Sequence, residues 1–176
     1  MPQRIELTFV YLREDDPSKS TMKKLERFHL ARRINGRNFG RKVTLTPYAG
    51  SYIRRNDSEL VSRYGLCVID GSWAKIEGIK KYKIENGRRI PALLAANPVN
   101  FGKLEILSSV EALAAALFII GNTNIAETIL NKFKWGPNFL VLNRNPLHEY
   151  SECKSDDEVK SVELEYFATK ESKKTG

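Results

Sequence analysis

Few residues in this chain are placed to do chemistry, and the most informative stand together at Ile69-Asp70-Gly71-Ser72-Trp73. The apolar run Leu66-Cys67-Val68-Ile69 ends on the carboxylate of Asp70, and Gly71-Ser72 turns the chain toward Trp73. In open parallel sheets ligands sit beyond the carboxyl ends of the strands, and Asp70 occupies such an end. On spacing alone Asp70 reads equally as a group at a ligand site and as a helix cap or the partner of an Arg. Trp73 is open in the same way, as a ligand wall or as a core anchor. A second feature is Leu93-Leu94-Ala95-Ala96-Asn97-Pro98-Val99-Asn100-Phe101-Gly102, an apolar loop punctuated by Asn, Pro and Gly and unusual for a surface connector.

Other chemistries fall away. There is no P-loop pattern and no GxGxxG after a strand, so ATP-driven and ordinary Rossmann chemistry lack support. His29 and His148 are not in a nucleophile-like context. Cys67 and Cys153 form neither a disulfide framework nor a CxxC pair. A zinc site would need both Cys and both His to converge from distant positions, so no metal is expected.

The elements that must position these residues follow from hydrophobic period and breakers. Arg4 to Leu12 alternates like a strand. Asp15 to Ser20 supplies caps for a helix from Thr21 to Arg33, its Met22, Leu25, Phe28 and Leu30 turned to a core and its other side basic. Arg41 to Thr46 reads as a strand ended by Pro47, and Asp57-Ser58 starts a helix to Tyr64 with Gly65 at its C-terminal end. Leu66 to Asp70 is a strand buried on both faces, as parallel sheets require. Trp73 to Tyr82 is the next helix, Asn86-Gly87 a tight turn, and Arg88 to Ile90 a last short strand. Beyond Pro91, Ser108-Ser109-Val110-Glu111 has capping-box spacing for a helix to Gly121. Helical patterns continue over Asn124 to Phe133 and Asp156 to Thr169, with a Trp135-Gly136-Pro137 corner between them. The fold class is therefore α/β, a parallel-rich sheet with helices over residues 1–92 and a mainly helical unit over 93–176.

Charge divides along the same line. Residues 1–92 hold 20 of the 29 basic and 10 of the 21 acidic side chains, a net +10, against −2 for the remainder. A half so charged faces a polyanion more plausibly than it merely aids solubility. The longest nearly apolar run, Val110 to Ile120, is too short to cross a bilayer. The start of the chain has no apolar stretch of signal-peptide length, and a cytoplasmic protein is expected.

Read in order, Asp15-Asp16-Pro17 with Ser20-Thr21 and Lys23-Lys24-Leu25, Leu45-Thr46-Pro47, Val68 to Trp73, Leu94 to Gly102, Leu107-Ser108 with Glu111-Ala112, and Phe133-Lys134-Trp135-Gly136 form a pattern. In it the chain resembles the small-subunit (16S/18S) ribosomal RNA aminocarboxypropyltransferases, in an archaeal-type form without the acidic C-terminal extension of eukaryotic members. Ser20, Met22, Gly71 and Phe101 depart from the residues commoner in the family.

The resemblance implies a SPOUT-like fold with a trefoil knot. It implies S-adenosyl-L-methionine as cofactor, with transfer of its 3-amino-3-carboxypropyl group to N3 of a (N1-methyl)pseudouridine in small-subunit rRNA. The implied partner is that rRNA or a pre-ribosomal particle, met by a monomer, with no membrane. Asp70 is then the candidate general base or electrostatic orienter, and Trp73 the wall that shelters the methyl. Thr21 and Ser109, at helix starts, suit the cofactor carboxylate. Leu45, Pro47, Ile90, Leu93, Leu107 and Ala112 would enclose adenine, and the Ile69 carbonyl would meet the ribose. Lys23, Lys24, Arg27, Arg54, Arg55 and Lys75 are the candidate RNA contacts, with Tyr48 and Tyr52 either stacking a base or only closing their loop. Two rival readings are a SPOUT-type RNA methyltransferase and a noncatalytic RNA-binding assembly factor.

Overall fold

The computed structural model describes residues 4–12, 20–70 and 83–168. Among these, β1 (Leu7–Tyr11), β2 (Arg32–Arg33), β3 (Val43–Leu45), β4 (Leu66–Asp70) and β5 (Asn86–Arg88) form one parallel sheet in the order β2-β1-β4-β3-β5. The described helices are α1 (Thr21–Arg27), α2 (Ser58–Tyr64), α3 (Ser109–Ile119), α4 (Thr123–Leu130), α5 (Gly136–Leu142), α6 (Arg144–Glu152) and α7 (Asp156–Glu163), the last continuing into a π turn, Leu164–Ala168. None of them is long and apolar enough to cross a membrane.

β1 and β4 pair along their whole length, from Leu7 opposite Leu66 to Tyr11 opposite Asp70. β4 shows no apolar alternation, and β1, expected to alternate, is likewise buried on both faces. Leu7, Phe9, Leu66 and Val68 enter the main core, while Val10, Cys67 and Ile69 enter a smaller cluster with Phe39. Gly65 makes the entry into β4 possible, because at its φ of 95° a Cβ would lie 2.9 Å from the Glu6 carbonyl oxygen.

α3 is the helix around which the rest is arranged. Ser108 caps it by the reciprocal bonds that its spacing predicts, and Val110, Leu113 to Leu117 and Ile119 are buried. It packs on α1, β4, α4 and α6, so side chains from both halves of the chain share the main core.

Three expectations are corrected. The helix from Thr21 stops at Arg27, not Arg33, because His29 takes a positive φ of 58° and Leu30 N–H bonds back to the Leu25 carbonyl. Arg32–Arg33 then pair with β1 as a parallel edge strand. Asn86-Gly87 is not a turn but lies in β5, in register with Val43 and Thr44, an edge position where glycine is tolerated. The Trp135 corner opens directly into α5 and α6, with Pro137 in the first turn of α5. The Trp73–Tyr82 helix lies outside the described residues.

Candidate active site

A cleft of about 730 Å³ opens at the carboxyl ends of β3 and β4. Its floor is Leu45, Thr46, Pro47, Val68 and Ile69, one wall is Arg89-Ile90-Pro91, and the other runs from Leu104 to Ser109 and on to Ala112 of α3. That volume suits a nucleoside-sized ligand, and ligands of open parallel sheets bind at this end. Leu45, Pro47, Ile69, Ile90, Leu107, Ser109 and Ala112 all line it. Leu93 does not. It is fully buried in the main core behind the cleft.

Asp70 follows Ile69 at the end of β4 and ties two helix starts together. The Ser20 hydroxyl, at the N-cap of α1, donates to Oδ2 at 2.5 Å, and the Ser109 hydroxyl, in the first turn of α3, donates to Oδ1 at 2.8 Å. Thr21 Oγ1 accepts the Val110 N–H at 3.2 Å, so its own hydroxyl hydrogen is left to donate. Both oxygens of Asp70 are thereby fixed in direction by hydroxyls.

The apolar loop after Pro91 is held peptide by peptide. Ala92 N–H donates to Glu163 Oε1 and its carbonyl accepts from the Tyr150 hydroxyl, each at 2.8 Å. Leu94 exchanges two 2.8 Å bonds with the buried Asn143 side chain, and Ala96 N–H donates to Glu111 at 2.7 Å. Glu111, wholly buried, also accepts from the Asn97 amide and from both the N–H and hydroxyl of Ser108. A buried loop must satisfy its backbone this way, and here the partners come from helices far along the chain.

Thr46, Val68, Arg89, Pro91, Leu104, Glu105, Ile106 and Ser108 line the cleft without having been anticipated. Arg89 enters it because residues 86–89 continue the sheet edge, bridged to Tyr52, with the Arg89 guanidinium stacked 4.5 Å from the Tyr52 ring. Tyr52 is buried and its hydroxyl donates to Glu163 at 3.0 Å; burial, then the Glu163 charge, raise its pKa. It therefore closes the loop and offers no stacking face. Tyr48 is half exposed.

The basic residues separate by use. Arg54 pairs with Asp156 at 3.3 Å and donates to the Lys154 carbonyl at 2.7 Å, and Arg88 pairs with the buried Asp57 at 3.2 Å. Arg55 is exposed and lies over Gly121. On α1, Lys23 Nζ sits 4.5 Å from the Tyr11 ring, Lys24 Nζ 4.8 Å from Phe133, and Arg27 is exposed. Trp73 and Lys75 lie outside the described residues. Cys67 and Cys153 are free and buried, and burial pushes the Cys67 thiol up to about 11, which leaves it inert.

Residues 43–167 match the family described as "Ribosome biogenesis protein, C-terminal". The chain is 57% identical over 159 residues to the 16S rRNA aminocarboxypropyltransferase of Thermoplasma volcanium, covering 90% of this chain and 96% of the relative. It is 50% identical over 163 residues to the protein of the same name from Thermoplasma acidophilum, covering 93% and 99%. Among solved structures, the SAM-dependent rRNA:acp-transferase of Vulcanisaeta distributa superposes with a TM-score of 0.81 at 30% identity, covering 91% of this chain and 96% of that one.

Proposed function

The chain belongs to the 16S rRNA aminocarboxypropyltransferase family, and from that premise we propose that it modifies a pseudouridine of small-subunit rRNA at N3, using S-adenosylmethionine. The observation that carries this reading is the cleft itself. Apolar side chains of Leu45, Pro47, Ile69, Ile90, Leu107 and Ala112 suit a flat purine, and the backbone N–H of Ser109 at the start of α3 suits a carboxylate, its hydroxyl being already given to Asp70. The residues present therefore fit the donor.

When bound, S-adenosylmethionine supplies an aminocarboxypropyl carbon activated by the adjacent sulfonium, with methylthioadenosine as the leaving group. The chain's own contribution is selection and orientation. A wall fixed at Ser108 by Glu111, and backed at Leu104 by the Asn143-bound Leu94, holds the ligand in one pose, and positioning decides which carbon meets the nucleophile. Thr21 and Ser109 are assigned to the ligand's carboxylate end. Asp70, aimed by Ser20 and Ser109, orients the target imide and accepts its N3 proton. Trp73, three residues beyond, is assigned as the barrier beside the methyl.

The finer features belong to the same proposal. The chain after Pro91 is assigned the SPOUT-like trefoil threading that the family resemblance implies, its 92–97 loop being held by side chains of Glu111, Asn143, Tyr150 and Glu163. The target is a (N1-methyl)pseudouridine met by a monomer in the cytoplasm, with Lys23, Lys24, Arg27, Arg55 and Lys75 toward the RNA and Arg54, expected there too, held by Asp156 and the Lys154 carbonyl.

By-product identity tests the reading. Incubation with S-adenosylmethionine and precursor small-subunit rRNA is expected to release methylthioadenosine. S-adenosylhomocysteine would indicate methyl transfer, and neither product would indicate an RNA-binding factor.

A further inference from the structure

The second wall of the cleft is one arm of a hairpin whose tip has no role in the reading above. Leu94 and Leu104 form an antiparallel bridge, and Ala95 N–H donates to the Lys103 carbonyl at 2.9 Å while Gly102 N–H donates to the Ala95 carbonyl at 2.7 Å. Asn97 pins the turn from within. Its amide donates to the buried Glu111 at 2.7 Å, and its Oδ1 accepts the Asn100 N–H at 3.0 Å. The tip is thus as well fixed as the α3 cap to which it is tied.

On that fixed tip stand two apolar side chains that bury little of themselves. Val99 is 80% exposed and Phe101 59%, and Ile106, 37% exposed, lines the cleft five residues further along the same ribbon of chain. From Ala92 to Leu104 the hairpin holds no acidic residue, and its one charge is the exposed Lys103. Two apolar side chains beside one cation are too small a face for a protein partner, which needs roughly 800 Å². They match one or two unpaired bases, whose flat faces stack on aromatic rings while a nearby cation meets the phosphate.

We propose that Phe101, flanked by Val99 and Lys103, is a stacking platform for an unpaired nucleobase of the substrate RNA beside the target nucleotide. This rests on the rRNA substrate proposed above. RNA presenting a nucleotide to the cleft must pass over its rim, and the rim and the tip are one ribbon of chain. Phe101 is therefore a specificity and binding residue for RNA and makes no contact with the methionine donor.

The test uses the full chain with a hairpin RNA that carries N1-methylpseudouridine in its loop. Phe101→Ala is expected to weaken RNA affinity and raise the KM for RNA roughly 5- to 100-fold, with S-adenosylmethionine affinity unchanged. Phe101→Trp is expected to restore both, and the fluorescence of the introduced indole to be quenched when RNA binds. Unchanged RNA affinity in Phe101→Ala, or an indole indifferent to RNA, overturns the platform. Loss of binding only to a ribosomal precursor particle, with naked RNA bound normally, also overturns it in favour of a protein contact. If the unaltered chain modifies no RNA at all, the substrate reading itself fails and the platform falls with it; an active parent with an indifferent Phe101→Ala removes the platform alone.

Discussion

Ser20 and Asp70 are 50 residues apart in sequence, yet the Ser20 hydroxyl meets Asp70 Oδ2 at 2.5 Å. The same hydroxyl oxygen accepts the Lys23 N–H at 3.2 Å as the N-cap of α1. One side chain thus starts a helix and aims the carboxylate at the end of the central strand. Ser109 does the equivalent from α3 on the other oxygen. The first turns of two helices and the end of β4 are therefore fixed relative to one another before any ligand arrives.

Substitutions at this junction separate binding from turnover. Asp70→Asn is expected to keep S-adenosylmethionine affinity within a few fold and to slow transfer by about 10²–10⁴, the range of a lost proton acceptor. Ser20→Ala should cost about 1 kcal/mol as a lost cap and lower turnover roughly tenfold. Single-turnover transfer beside equilibrium donor binding checks both; a large fall in donor affinity in Asp70→Asn would assign Asp70 to ligand binding.

Glu111 carries the backbone of the apolar loop. Glu111→Ala would leave the Ala96 and Ser108 N–H groups and the Asn97 amide without their acceptor, and a loss of about 2–4 kcal/mol is expected. Urea unfolding measures it. Glu111→Gln should recover only part, because an amide group would then face N–H donors.

Gly136 is tested by its neighbours. A Cβ there would lie 1.9 Å from the Leu130 carbonyl oxygen, so Gly136→Ala must push α4 and the start of α5 apart. A loss of about 2–3 kcal/mol is expected by thermal unfolding. Gly50→Ala, with open space around it, should stay within about 0.5 kcal/mol.

Salt and charge test the basic face of α1. Reversal of Lys23, Lys24 and Arg27 together is expected to weaken RNA binding and flatten its salt dependence while leaving donor affinity intact. Full RNA affinity in the triple variant would return these residues to an ordinary solvated surface. Some loss of stability should accompany it, since Lys23 and Lys24 also sit over Tyr11 and Phe133.

What could be read ahead of the structure was what local sequence dictates. Leu66 to Asp70 announces a two-face-buried strand by its unbroken apolar run, and Ser108 to Glu111 announces a helix start by spacing alone. What could not be read depends on distant partners. His29 ends α1 early in a positive φ that no local pattern marks, after which Arg32–Arg33 pair with β1, and Asn86-Gly87 lies in a strand that pairs with β3. Nothing near Leu93 says that Asn143 and Tyr150 will bury its neighbours, which moves it from the cleft to the core. Arg88 to Ile90 reads as a short strand, and the strand found there begins two residues earlier; the place of Arg89 in the cleft depends on its bridge to the distant Tyr52. The pairing of Asp70 with two serines was equally hidden, since spacing alone left it open between a ligand site and a cap or Arg partner.

The measurement that bears most directly on the account follows two labels from one donor. S-adenosylmethionine labelled in its carboxyl carbon, and separately in its methyl carbon, is incubated with the full chain and precursor small-subunit rRNA. Aminocarboxypropyl transfer predicts that the carboxyl label enters the RNA, that the methyl label stays with the released thioadenosine, and that Asp70→Asn slows the first without admitting the second. Methyl label in the RNA, with the carboxyl label left in solution, would contradict it.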